Sequence, residues 1–72
     1  MKSQKGIEKE LLDTINKLRV NERLTQKELE RLSGVRQPML ARIEHGYTRP
    51  RIDTMLKILK PLGKTLKIVD IN

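Results

Sequence analysis

Side chains able to do chemistry crowd into the middle of this sequence. Between Arg36 and Arg51 stand four arginines (Arg36, Arg42, Arg49, Arg51), with Gln37, His45 and Tyr47, against a single acid, Glu44. Six of the nine acids (Glu8, Glu10, Asp13, Glu22, Glu28, Glu30) lie in the first thirty residues, so the central segment is more basic than the N-terminal part of this chain of net charge +7. Such a field attracts polyanions: DNA, RNA or an anionic lipid surface. Solubility alone is the competing explanation. Catalysis has little to work with, because there is one histidine, no cysteine, no glycine-rich phosphate loop and no metal-ligand spacing. His45 precedes Gly46 at the end of an expected helix, where a surface imidazole suits the helix dipole. The expectation is an anion-recognising protein, not an enzyme, with no cofactor and no metal.

The elements that position these residues are legible from apolar spacing. Residues 1–5 read as a flexible N-terminus. Ile7, Leu11, Ile15 and Leu18, with Leu12 beside them, make one helical stripe from Gly6 to about Asn21. Thr25 and Glu28 form a capping-box pattern that starts a second helix at about 26–33. Leu29 and Leu32 continue its apolar face, and Gly34 supplies a left-handed stop. Pro38 fits only a first helical turn, so a third helix is expected over about 37–45 with Leu40 and Ile43 inward. Gly46 to Arg51 reads as a loop. A fourth helix carries Ile52, Met55, Leu59 and Leu62 inward, has Asp53 in its first turn, and ends near Lys60 because Pro61 follows. Thr65, Leu66, Lys67, Ile68, Val69, Asp70 and Ile71 are rich in β-branched residues and read as a strand. A lone strand needs a partner, and the simplest one is the same strand of a second chain. A frayed or helical tail is the alternative.

Composition sets the outer bounds. Seventy-two residues make one domain at most, with a small core that dimerisation would enlarge. Residues 6–63 are expected to form the domain and 64–72 a C-terminal strand or tail. The polar N-terminus has no apolar region behind it, so a secretory signal and a membrane span are not expected, and the chain reads as soluble and cytoplasmic.

Two short helices joined by Ser33-Gly34-Val35-Arg36 are the central feature, a spacing in which the first helix is expected to brace on a DNA backbone and the second to enter the major groove. Leu24-Thr25-Gln26-Lys27-Glu28-Leu29, Gly34-Val35, Arg42-Ile43-Glu44-His45-Gly46, Pro50 and Leu62-Gly63 together resemble the Cro/repressor (Xre-like) helix-turn-helix family, over about Ile15 to Gly63. The resemblance implies an all-α, four-helix, lambda-repressor-like domain. It implies that Thr25 and Gln26 hold a phosphate, and that Arg36, Gln37, Pro38, Met39 and Arg42 line the base-facing edge. Arginine suits guanine and glutamine suits adenine. Arg42 could instead meet a phosphate, and Gln37 could instead cap its helix, because Pro38 favours an extended residue before it. Tyr47, Arg49 and Arg51 match the loop that clamps the DNA backbone. Tyr47 is the only aromatic residue, which argues against single strands. Arg19 and Glu44 match a charged pair between the first and third helices.

Three positions depart from the family pattern. Glu30 stands where alanine is usual, Ser33 where a small apolar residue is usual, and Arg36 where a serine or threonine cap is usual. A buried unpaired Glu30 would be costly, so it is expected to reach outward or meet an arginine.

The size and the tail resemble antitoxins of host-inhibition-of-growth (HigA-like) and HipB-like operons. That implies a homodimer on an inverted-repeat duplex, repression of its own operon, and a toxin as partner. A phage or mobile-element Cro-type repressor and a protein-interaction adapter that binds no DNA are the alternatives.

Overall fold

The computed structural model describes residues 3–71. It contains α1 (Gln4–Asn21), α2 (Gln26–Ser33), α3 (Gln37–Glu44), α4 (Ile52–Leu59) and a closing 3-10 turn (Lys60–Leu62). The regular elements among the described residues are all helical, as expected, and each helix stands where its apolar spacing put it. α1 starts two residues earlier than Gly6, because the Ser3 side chain accepts from the Gly6 N–H and caps it. The expected flexible segment 1–5 is therefore partly helical; Met1 and Lys2 lie outside the described residues.

α3 packs against α1 and α2, and α2 packs against α4 and the 3-10 turn. Ile15, Leu29, Val35, Leu40, Ile43, Met55, Ile58, Leu59 and Leu62 form the core between them. Burial is what holds these short helices in place, since eight residues are too few for an isolated helix in water. Three expected core residues are exposed: Ile7 at 54 %, Leu32 at 46 % and Ile52 at 72 %. Each sits at the end of a helix, where the stripe continues past the last neighbour it could meet. Val35 and Ile58 take up the burial instead.

Left-handed residues close the helices. Gly34, Gly46 and Gly63 have φ between 73° and 79°, a region that costs glycine nothing sterically. At the end of α1 the same role falls to Arg23, at φ 58°. The Arg23 N–H donates to the Val20 carbonyl and the Leu24 N–H to the Arg19 carbonyl, the paired bonds of a Schellman closure.

The expected strand of residues 64–72 is not formed among the described residues. Thr65, Lys67, Ile68, Val69, Asp70 and Ile71 are exposed without regular structure, and only Leu66 packs on the core. The described residues of a single copy hold no second strand for this backbone to pair with. Asn72 lies outside the described residues.

Candidate nucleic-acid interface

The site is assembled from the interior outward. Arg19 of α1 and Glu44 at the end of α3 meet as expected. The guanidinium donates through Nε to Glu44 Oε2 at 2.7 Å and through Nη2 to Oε1 at 3.0 Å, a bidentate pair, while Nη1 donates to the Leu24 carbonyl at 2.6 Å. Glu44 retains only 7 % side-chain exposure. Its Oε1 also accepts from Asn16 at 2.8 Å and from Gln26 at 3.1 Å. Burial pushes the Glu44 carboxyl pKa up, but the hydrogen bonds from Arg19, Gln26 and Asn16 outweigh it and hold the group below the usual carboxylate range.

The network then continues to the surface. Gln37 Nε2 donates to Gln26 Oε1 at 2.7 Å. A carboxylate can only accept, so Glu44 turns the Gln26 amide nitrogen toward itself, and the Gln26 oxygen must face Gln37. One buried charge thereby sets the direction of two amides in series. What remains unused on Gln37 is one N–H and Oε1, a donor and an acceptor side by side. Sequence reasoning placed Gln26 and Gln37 at the site but missed their bond and the role of Asn16, because polar contacts between different helices leave no local pattern.

Gln37 is the first residue of α3, and Arg36 is its extended N-cap, with φ −61° and ψ 141°. Gln37 thus does not cap the helix. Arg36 has no side chain that can accept a bond, and it makes no capping bond. The acceptor comes from α2: Glu30 Oε2 accepts from the Gln37 backbone N–H at 2.9 Å. The same oxygen lies 3.4 Å from Arg36 Nε, and Glu30 Oε1 lies 3.5 Å from Lys27 Nζ. Two departures from the family pattern therefore compensate each other. The bond from Gln37, then the charges of Lys27 and Arg36, lower the Glu30 pKa. Ser33, the third departure, accepts from the Val35 N–H inside the turn at 3.1 Å.

Arg36, Pro38, Met39 and Arg42 are exposed along the outer edge of α3, opposite the buried Leu40 and Ile43. Arg42 has no side-chain partner among the described residues. Thr25 caps α2 in the expected capping box: its Oγ1 accepts from the Glu28 N–H at 3.0 Å and its own N–H donates to Glu28 Oε1 at 2.9 Å. The loop after α3 exposes Tyr47, Arg49 and Arg51. Tyr47 stacks on His45 with ring centroids 5.4 Å apart, Arg51 Nε lies 3.2 Å from Asp53, and Arg49 Nε lies 3.8 Å from Glu8. No group of side chains among the described residues has metal-binding geometry. No described helix is long and apolar enough to cross a membrane.

This arrangement of α2, the Gly34 turn and an exposed α3 edge coincides with a match to the helix-turn-helix family model over residues 15–69. The chain belongs to the helix-turn-helix family. This family is one of non-enzymatic DNA-binding regulators. A Haemophilus influenzae protein described as an uncharacterized HTH-type transcriptional regulator is 61 % identical over 49 residues, which is 68 % of this chain and 50 % of that protein. The helix-turn-helix chain thus spans about half the length of the curated relative it matches. Among solved structures, a toxin-antitoxin module from Streptococcus pneumoniae superimposes with a TM-score of 0.83 at 38 % identity, covering 100 % of this chain and 84 % of the other.

Proposed function

We propose that this helix-turn-helix protein is a sequence-specific double-stranded DNA-binding repressor that acts as a cytoplasmic homodimer. We further propose that it is the antitoxin of a toxin–antitoxin pair and represses its own operon. The observation that carries the DNA reading is the directed chain Glu44–Gln26–Gln37, which delivers a pre-oriented amide to the exposed edge of α3. The unused N–H of Gln37 suits adenine N7, and its Oε1 suits the adenine amino group. Arg36 and Arg42 offer guanidinium forks for guanine or phosphate, and Pro38 and Met39 offer apolar contact to a thymine methyl group. Gln26 and Thr25, at the start of α2, meet a phosphate with side-chain donors and the helix N-terminus. Tyr47, Arg49 and Arg51 clamp the adjacent backbone and add affinity without sequence preference.

A dimer would set two α3 helices about 34 Å apart, one helical turn of DNA, on an inverted repeat. The dimer contact in this reading is the segment 65–71, whose Ile68, Val69 and Ile71 are 97 %, 77 % and 78 % exposed. The antitoxin role is supported by the full-length likeness to a chain of a toxin-antitoxin module.

Gel-shift competition between the chain's own promoter and random duplex, with and without the product of the neighbouring gene, tests both parts. The promoter is expected to win, and a cognate toxin to alter the shift. Gln37→Ala should relax the preference at one base pair, by roughly 1–3 kcal/mol. Equal losses on promoter and random DNA would remove the base-reading role. Serine at positions 68, 69 and 71 should give a monomer by sedimentation with Leu66 still packed; an intact dimer would exclude that contact.

A further inference from the structure

We infer that Glu30 is a specificity-determining residue, which aligns the base-facing edge through the Gln37 backbone and restrains Arg36 from indiscriminate phosphate contact. The inference deepens the DNA-binding reading above and rests on it. Three contacts converge on the one carboxylate. Gln37 N–H, the first free donor of α3, bonds to Oε2 at 2.9 Å; Arg36 Nε lies 3.4 Å from that same oxygen; Lys27 Nζ lies 3.5 Å from Oε1. Glu30 keeps 22 % of its side-chain exposure, so it stands at the rim of the proposed interface and not inside the core.

The two effects act on different parts of binding. The capping bond holds the residue that carries the Gln37 amide, so it favours any duplex that this amide fits. The negative charge beside Arg36 and Lys27 offsets attraction that every duplex would feel, because phosphate attraction is independent of sequence. A DNA phosphate near this carboxylate is repelled by it and must compete with it for Arg36, whereas a fitting sequence offers Arg36 a base-edge partner of its own. Arg36 is 87 % exposed, so its pairing with Glu30 is loose enough to break when such a partner is offered. A carboxylate at this position therefore lowers random binding more than it lowers binding to a fitting sequence.

The two effects separate by substitution. Glu30→Gln keeps an oxygen for the Gln37 N–H and removes the charge. Glu30→Ala removes both. Binding is measured by fluorescence anisotropy against salt, on random duplex and on the duplex that the parent selects from a randomised pool. Glu30→Gln is expected to bind random duplex roughly three- to tenfold more tightly at low salt. Its log–log salt slope should steepen by about 0.9, one phosphate's worth. Adding Arg36→Ala to Glu30→Gln should erase that gain. Glu30→Ala should also weaken binding to the selected duplex, and the Gln37 amide should lose protection from hydrogen exchange, a readout independent of DNA. Unchanged random affinity and slope in Glu30→Gln, with the parent still selecting a duplex, would overturn the role of Glu30 alone. A parent that selects no duplex would overturn the DNA reading together with it.

Discussion

The N-termini of α2 and α3 solve the same problem in opposite ways. Both helices begin with backbone N–H groups that have no partner inside the helix. α2 satisfies its first turn locally: Thr25 and Glu28, three residues apart, exchange two hydrogen bonds. α3 has Arg36 at its cap, and its Gln37 N–H borrows an acceptor from Glu30, seven residues before Gln37 on another helix. A local cap makes a helix end self-sufficient. A borrowed cap ties the position of one helix to that of another, which suits an element that must be presented at a fixed angle. The two N-termini are linked again beneath the surface, where Gln26 of α2 bonds Gln37 of α3 and both depend on Glu44.

Breaking that shared anchor should have the largest effect. Glu44→Ala leaves Arg19 without its partner at a nearly closed site and frees both amides. The expected loss is about 3 kcal/mol by urea denaturation, the lower end for a buried pair because Arg19 keeps 14 % exposure. A variant as stable as the parent would show that the anchor contributes nothing. Next comes acidification, which strikes both helix ends and the anchor without mutation. The backbone and side-chain bonds of Thr25 lower the Glu28 pKa, and Glu30 and Glu44 are also held below their unfolded values. A lowered folded pKa means that the unfolded chain takes up protons first as pH falls. The stabilisation is thus fully present above about pH 5 and is lost as pH drops through the folded values. Thermal melts at stepped pH should show Tm falling below pH 5, and the fall should be smaller in Glu44→Gln.

The comparison itself is sharpened by Thr25→Ala. It should cost about 1 kcal/mol and raise amide exchange only in the first turn of α2, because that cap serves one helix. Loss of protection at α3 as well would show that the local cap is not local. A change of opposite sign is expected at the end of α1. Arg23→Gly relieves a left-handed arginine that meets the same closure as Gly46 and Gly63, and should add roughly 1 kcal/mol. A lower Tm would mean that the arginine side chain contributes more than its backbone costs.

The sequence alone determined whatever depends on neighbours a few residues apart. Apolar residues at helical spacing marked four helices, Thr25 and Glu28 marked a capping box, and Gly34, Gly46 and Gly63 marked the stops, because these effects act within one or two turns. The resemblance of the central motif added the Arg19–Glu44 pair. Tertiary structure decided what depends on where a helix ends against its neighbours. It left Ile7, Leu32 and Ile52 in solvent while burying Val35 and Ile58, since a stripe shows which face is apolar but not how far the covering surface extends. It left residues 65–71 unpaired, because one chain supplies no second strand. It also turned Glu30, a charge out of place in the family pattern, into the cap of α3, because a hydrogen bond between helices depends on a distance in space that sequence spacing does not record.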